Sequence, residues 1–167
     1  IKAIKILISK MRILRILIMI SFKEILIPRQ KLQDVSLFVL RLLPSYYMIA
    51  NHGWKKITNP QKWERYGNFF TKYFGDFLDF ANIPFGFMAS FSESICAVMV
   101  LLGIFTQPAS ILIAFTMFVA AMHHITGTGS PENALVFFSI YTTITLAGPG
   151  SYSLDFFIFL RNENKSL

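Results

Sequence analysis

Four long apolar segments constrain the fold of this chain more than any other feature. They cover approximately residues 35–54, 84–105, 107–126 and 133–150. Each is close to the roughly 20 residues that an α-helix needs to cross about 30 Å of hydrocarbon. Breaks such as "NIPFG", "TQPA" and "TGTGSPEN" separate them. The pattern predicts an all-α fold built as a bundle of four transmembrane helices.

The composition favours a membrane protein over a soluble one. Of 167 residues, 54% are hydrophobic and only 15% are charged, whereas a typical soluble domain has about 25% charged residues. A small soluble domain also needs a large polar surface. We therefore expect the lipid bilayer to be the main partner and the cell (inner) membrane to be the location. We expect one domain over residues 32–160, between tails at 1–31 and 161–167.

The net charge of +7 is concentrated in the first 31 residues, which carry eight basic residues and one acid. Such a tail suits an anionic membrane surface, and it predicts cytoplasmic N- and C-termini by the positive-inside rule. No interleaved basic and aromatic groove suggests nucleic-acid binding elsewhere. Two interpretations of the tail remain open: a basic amphipathic helix, or a stretch upstream of a true start at Met11 or Met19.

The connection at residues 55–83 has an amphipathic pattern. Aromatic residues recur at helical spacing between positions 69 and 80, with Lys72, Asp76 and Asp79 on the other side. This pattern predicts an interfacial amphipathic helix between the first and second spans.

Ionisable residues inside the spans are the first candidates for function, because hydrocarbon strongly disfavours them. The first predicted helix ends near His52, and the second carries Glu93 at mid-depth. The third ends at His123 and His124, shortly before Glu132. Since successive helices cross in opposite directions, these five residues are expected to gather in one half of the bundle.

Two more polar residues complete the candidate set. Ser90 shares a small-residue face with Gly86 and Glu93, which we expect to face the Arg41–His52 side of the first helix. Arg41 lies about 16 Å from His52 by helical rise. We therefore expect the Arg41 side chain to extend towards the opposite membrane surface.

The candidates divide into proton-handling and ligand-binding residues. Imidazoles titrate near neutrality and can exchange protons with a quinone or quinol, while a carboxylate stabilises the charged form. Facing histidines could instead hold a haem iron or a metal, although no His-x₃-His or HExxH spacing supports a metal site. The proton-handling candidates are Glu93, His52 and His123. The ligand-binding candidates are His124, Glu132, Ser90 and Arg41.

Several sequence elements together resemble the DoxX family of small four-helix bacterial integral membrane proteins. They are "LRLLPSYYMIANHGWKK", the acidic residue of "ASFSESICAVMVLLGIFTQPAS", "MFVAAMHH" and "GPGSYSLD", and the resemblance covers about residues 32–158. By position, His52, Glu93 and one histidine of the third helix match polar positions of the family. The family takes its name from a relative of the membrane subunit of an archaeal thiosulfate:quinone oxidoreductase, and some members are linked to oxidative-stress complexes.

The resemblance implies the membrane subunit of a quinone-linked redox or oxidative-stress system, acting as an oxidoreductase with a partner protein. The alternative is a non-enzymatic scaffold, or a small-molecule channel or transporter, whose buried polar residues hold the helices together or line a pore. Homo-oligomerisation stays open at this point.

Overall fold

The computed structural model describes residues 10–11, 30–127 and 129–160, without the side chain of Leu160. All elements in these ranges are helical, so the predicted all-α class is confirmed. The predicted basic tail lies largely outside the described residues, and the tail at 161–167 lies wholly outside them. The chain divides at Val35 into two compact units, and the packing below concerns the larger one.

The first helical stretch changes type along its length. Helix α1 (Gln30–Met48) contains Pro44 and continues into a π-helical segment, π1 (Ile49–Gly53). A short helix, α2 (Trp54–Ile57), follows directly.

The rest of the described chain is a succession of helices. The elements are a 3₁₀ turn (Pro60–Lys62), α3 (Trp63–Thr71), a 3₁₀ segment (Lys72–Ala81), α4 (Asn82–Phe91), π2 (Ser92–Cys96), α5 (Ala97–Leu102), α6 (Thr106–Thr126), α7 (Glu132–Ala147) and a final π segment (Phe156–Leu160).

Two helical stretches, Pro60–Leu102 and Thr106–Thr126, are long and apolar enough to cross a membrane. Only 44% and 33% of their most apolar windows are buried, whereas the core helix of a soluble protein would be mostly buried. The predicted first and fourth segments are helical as well, but α7 has only 16 residues. A bundle of four spans therefore stays a prediction.

Many residues of the core have small side chains, and many large apolar side chains face outwards. Ala97, Ala109 and Ser110 are buried, whereas Phe118 and Leu146 are exposed. Water would favour the reverse arrangement. In lipid, small residues let helices approach closely while large apolar ones contact acyl chains. This distribution indicates a membrane protein.

Glycines hold α3 and α4 together as an antiparallel hairpin. A Cβ atom at Gly67 would collide with the Asn82 carbonyl, and one at Gly86 would collide with the Trp63 carbonyl. Gly86 was expected to face the first helix, but it packs against α3 because only a glycine admits such a close backbone.

The predicted amphipathic helix over residues 69–80 is not continuous. Helix α3 ends at Thr71, and Gly75 breaks the following 3₁₀ segment with a φ of 63° and non-helical geometry. An interfacial position for this connection stays a prediction.

Arg41 is buried, contrary to the expectation that it extends to the membrane surface. It is 1% exposed, and its guanidinium donates to the carbonyl oxygens of Tyr152 at 2.5 Å and Val100 at 3.5 Å. A buried cation needs such acceptors, because desolvation without hydrogen bonds is very unfavourable. Arg41 therefore connects α1 to residues 148–155, which are called the C-terminal segment below.

The closing "GPGSYSLD" stretch fastens onto the turn between α5 and α6. The Asp155 carboxylate accepts the backbone N–H groups of Phe105 and Thr106, both at 2.8 Å. The Asp155 N–H donates to the Gly103 carbonyl at 2.7 Å. Asp155 thus caps the start of α6 from another part of the chain.

We expect Asp155→Asn to lower the free energy of unfolding by about 1–3 kcal/mol, because it weakens charge-assisted hydrogen bonds at this end. Denaturant unfolding in mixed micelles measures the change. Asp79→Asn, at an exposed position, is the control and should have little effect. Equal stability of the two variants would contradict the capping role.

Candidate functional site

The π-helical segments π1 and π2 pack against each other. A Cβ atom at Gly53 in π1 would collide with the backbone carbonyl of Glu93 in π2, so only glycine permits this approach. π-helical turns are rare and often occur at functional sites. This contact places the backbone of His52, one residue before Gly53, beside the turn that carries Glu93.

A cavity of about 390 Å³ opens next to this contact. Its wall includes four residues that were predicted to gather, His52, Glu93, His123 and His124, so the structure brings them together. The other lining residues are Lys56, Phe69, Met117, Ala120, Ser130, Asn133, Ala134 and Phe137.

Glu93 is the most buried ionisable group of this wall, at 1% exposed. Its Oε1 atom forms an ion pair with Lys56 Nζ at 2.5 Å, and the Lys56 side chain is 22% exposed. Its Oε2 atom has no hydrogen-bond partner among the described residues. A buried acceptor of this kind can receive a proton or a hydrogen bond from a ligand in the cavity.

His123 is held by two contacts. Lys72 Nζ lies 3.0 Å from His123 Nδ1, and the imidazole ring stacks on Phe69 with 3.8 Å between ring centroids. An ammonium group can only donate, so Nδ1 must be the acceptor and Nε2 then carries the hydrogen. In this arrangement His123 is neutral and keeps one N–H donor.

The other two histidines each lie beside another ring. His52 is exposed, and its ring meets Phe137 edge-on at 6.2 Å between centroids. His124 lies 5.7 Å from His123, ring to ring. Within the described ranges, no group of three or more His, Cys, Asp or Glu side chains is arranged to hold a metal ion.

Three sequence candidates do not line the cavity. Ser90 is buried and donates to the Gly86 carbonyl at 2.8 Å. Arg41 lies with the C-terminal segment instead. Glu132 is exposed at the start of α7, although its neighbour Asn133 is part of the wall.

Sequence reasoning missed Lys56, the partner of Glu93. Lys56 follows His52 by four residues, which is one helical turn, but a lysine after an apolar segment also fits a simple membrane exit. Tyr141 was missed too: it is fully buried in α7, and its hydroxyl donates to Ser45 at 3.2 Å. Only the helical spacing from His52 could have pointed to Lys56.

Comparison with known proteins gives one family. The DoxX family model matches residues 36–125, more than half of the chain. The matched region contains π1, π2, His123 and His124. No curated protein and no solved structure gives a significant match.

We expect Lys56→Met to destabilise the protein by about 3–5 kcal/mol, because it leaves the Glu93 carboxylate buried without its counter-ion. Lys55→Met, at an exposed neighbouring position, should change little. The double variant Lys56→Met/Glu93→Gln should recover most of the loss, since no buried charge then remains.

Denaturant unfolding of all four proteins in mixed micelles at pH 8 measures these differences. A Lys56→Met protein as stable as Lys55→Met would mean that the ion pair contributes nothing to the fold.

Proposed function

The chain belongs to the DoxX family, and we propose that it is the membrane subunit of a quinone-linked redox system. In this proposal it spans the membrane four times, with α1–π1, α4–α5, α6 and α7 as the spans. The cavity beside π1 and π2 binds the quinone ring. A partner protein with its own redox cofactor exchanges the electrons.

The Oε2 atom of Glu93, which has no hydrogen-bond partner among the described residues, is the observation that carries this proposal. It belongs to a buried acid on the wall of a cavity, and ionisable groups at such depth commonly serve proton transfer. Lys56 pairs with the other carboxylate oxygen. In this proposal Oε2 accepts a proton from a hydroxyl group of the ligand.

The other wall residues fit a flat ring with oxygen atoms on its edge. The Nε2–H group of His123 can donate to a carbonyl oxygen, the complement of what Glu93 offers. Phe69 and Phe137 supply aromatic surface on the wall. A cavity of about 390 Å³ also falls within the roughly 300–1,000 Å³ typical of small-molecule sites.

The protons and electrons can be accounted for separately. A bound quinol supplies two electrons and two protons when it is oxidised. Glu93 accepts one proton, and the exposed His52 accepts the other and passes it to water. Both electrons go to the partner protein, since no residue of the cavity can accept them.

The channel or transporter alternative is less well supported. A channel needs a continuous polar path, but the cavity wall includes neither Arg41 nor Asp155, the charged groups at the other end of the bundle. We therefore keep the redox subunit as the proposed function.

Anaerobic titration with decylubiquinol tests the proposal. The detergent-purified protein should bind it, and Glu93→Gln should bind it at least about tenfold more weakly, a loss of about 1.4 kcal/mol, because a neutral amide oxygen is a weaker acceptor than a carboxylate for the quinol hydroxyl group. Isothermal titration calorimetry measures both constants.

Glu132→Gln is the matched control, because it makes the same chemical change at an exposed acid outside the cavity. Its affinity should equal that of the wild type. Failure of the wild-type protein to bind decylubiquinol, or equal affinity of Glu93→Gln and wild type, would overturn the proposal.

A further inference from the structure

We propose that a groove along α6, separate from the cavity, binds one acyl chain of an anionic phospholipid, with the lipid phosphate at Lys72. This site does not depend on the proposed redox function. It is defined by two adjoining apolar recesses on the outer surface of α6.

The recesses form one elongated groove. Their volumes are about 160 and 200 Å³, and they share Phe70, Phe115 and Val119. On α6 the groove extends from Leu112 to Met122, which corresponds to about 15 Å of helical rise. Helices α3 and α4 supply the opposite wall. Such a shape suits an extended hydrocarbon chain.

Hydroxyl groups close the inner end of the groove and are already paired. Ser92 and Thr116 lie 2.7 Å apart, oxygen to oxygen. Ser92 also donates to the Ala89 carbonyl at 2.9 Å, and Thr116 donates to the Leu112 carbonyl at 3.0 Å. None of the buried unpaired polar atoms of the described chain belongs to the groove. The groove therefore suits a part of a ligand that has no hydrogen-bonding groups.

The Lys72 ammonium group lies near the other end of the groove. Tyr73 lines the groove at that end, and Lys72 Nζ lies 4.9 Å from the centroid of the Tyr73 ring. The Tyr73 hydroxyl reaches Thr126, the last residue of α6, at 2.8 Å. Lys72 thus lies beside the C-terminal end of the candidate span Thr106–Thr126, where lipid headgroups are expected.

The ammonium group of Lys72 can pair with a phosphate. It is exposed, and its described polar contact is with the neutral His123 ring. Asp76 and Asp79 follow on the same 3₁₀ segment but lie beyond the break at Gly75, and among the described residues neither forms an ion pair with Lys72. An anionic headgroup would supply the missing negative charge.

A phospholipid fits these features better than a protein partner does. A narrow groove that is closed at one end and lined mainly by apolar side chains matches an acyl chain. The lysine at its mouth matches a phosphate. The surrounding large side chains, such as Phe74 and Phe118, are exposed, so lipid can reach the groove directly.

Native mass spectrometry in a non-ionic detergent tests the site with added phosphatidylglycerol or phosphatidylcholine. The wild type should retain phosphatidylglycerol in preference to phosphatidylcholine. Ala89→Phe fills the groove and should lower retention of both lipids at least about tenfold, because the acyl chain loses its apolar contact surface. Lys72→Gln should remove the preference and keep the chain site.

Matched controls are Ala147→Phe and Lys55→Gln, both at exposed positions outside the groove; each should retain lipid like the wild type. Val119→Trp fills the groove from α6 and replaces Ala89→Phe if that variant does not fold by circular dichroism.

Two outcomes would overturn the proposal. One is wild-type retention of both lipids in a folded groove-filling variant. The other is a wild-type protein that carries no lipid and instead forms a dimer that the groove-filling variant disrupts. Neither outcome bears on decylubiquinol binding, so the two proposals can fail separately.

Discussion

The ion pair between Lys56 and Glu93 is the interaction on which the rest of the bundle depends. A carboxylate at that depth is tolerated only with a counter-ion, because desolvation would otherwise cost several kcal/mol. The pair can form only because Gly53 lets the two π segments approach within backbone contact. Charge pairing and close packing therefore require each other, and both keep one side of the cavity in place while the second carboxylate oxygen stays free.

The opposite end of the bundle satisfies its buried charge in a different way. Arg41 uses backbone carbonyl oxygens instead of a direct carboxylate partner, and Asp155 uses backbone N–H groups. These contacts join three parts of the chain that are far apart in sequence, and a recess of about 230 Å³ lies beside Asp155. The molecule thus has one end where backbone groups satisfy the charged side chains and a second end where polar side chains face a cavity.

The sequence predicted the helices and the gathering of His52, Glu93 and the two histidines of α6, because helical rise and alternating chain direction determine which residues lie at the same end. It could not predict the burial of Arg41. The acceptors of its hydrogen bonds are backbone carbonyl oxygens more than 50 residues away, and a residue of any type has such an oxygen. The π segments were not predicted either, because a single wide turn inside an apolar helix does not change the hydrophobic periodicity in a recognisable way. Lys56 was visible but ambiguous, and only the packing of Gly53 on Glu93 distinguishes a buried partner from a solvated lysine.

The π segments have a consequence for how this chain can change during evolution. A π turn closes its hydrogen bond over one more residue than an α turn does, so it accommodates an extra residue and leaves the helix beyond it nearly in register. Deleting one residue from π2 would therefore restore an ordinary α turn, and Ala97 and Val100 would keep their places in the core. The same deletion inside α4 would instead turn everything after it by about 100°. The loss in π2 would fall on the wide turn itself, which carries Glu93.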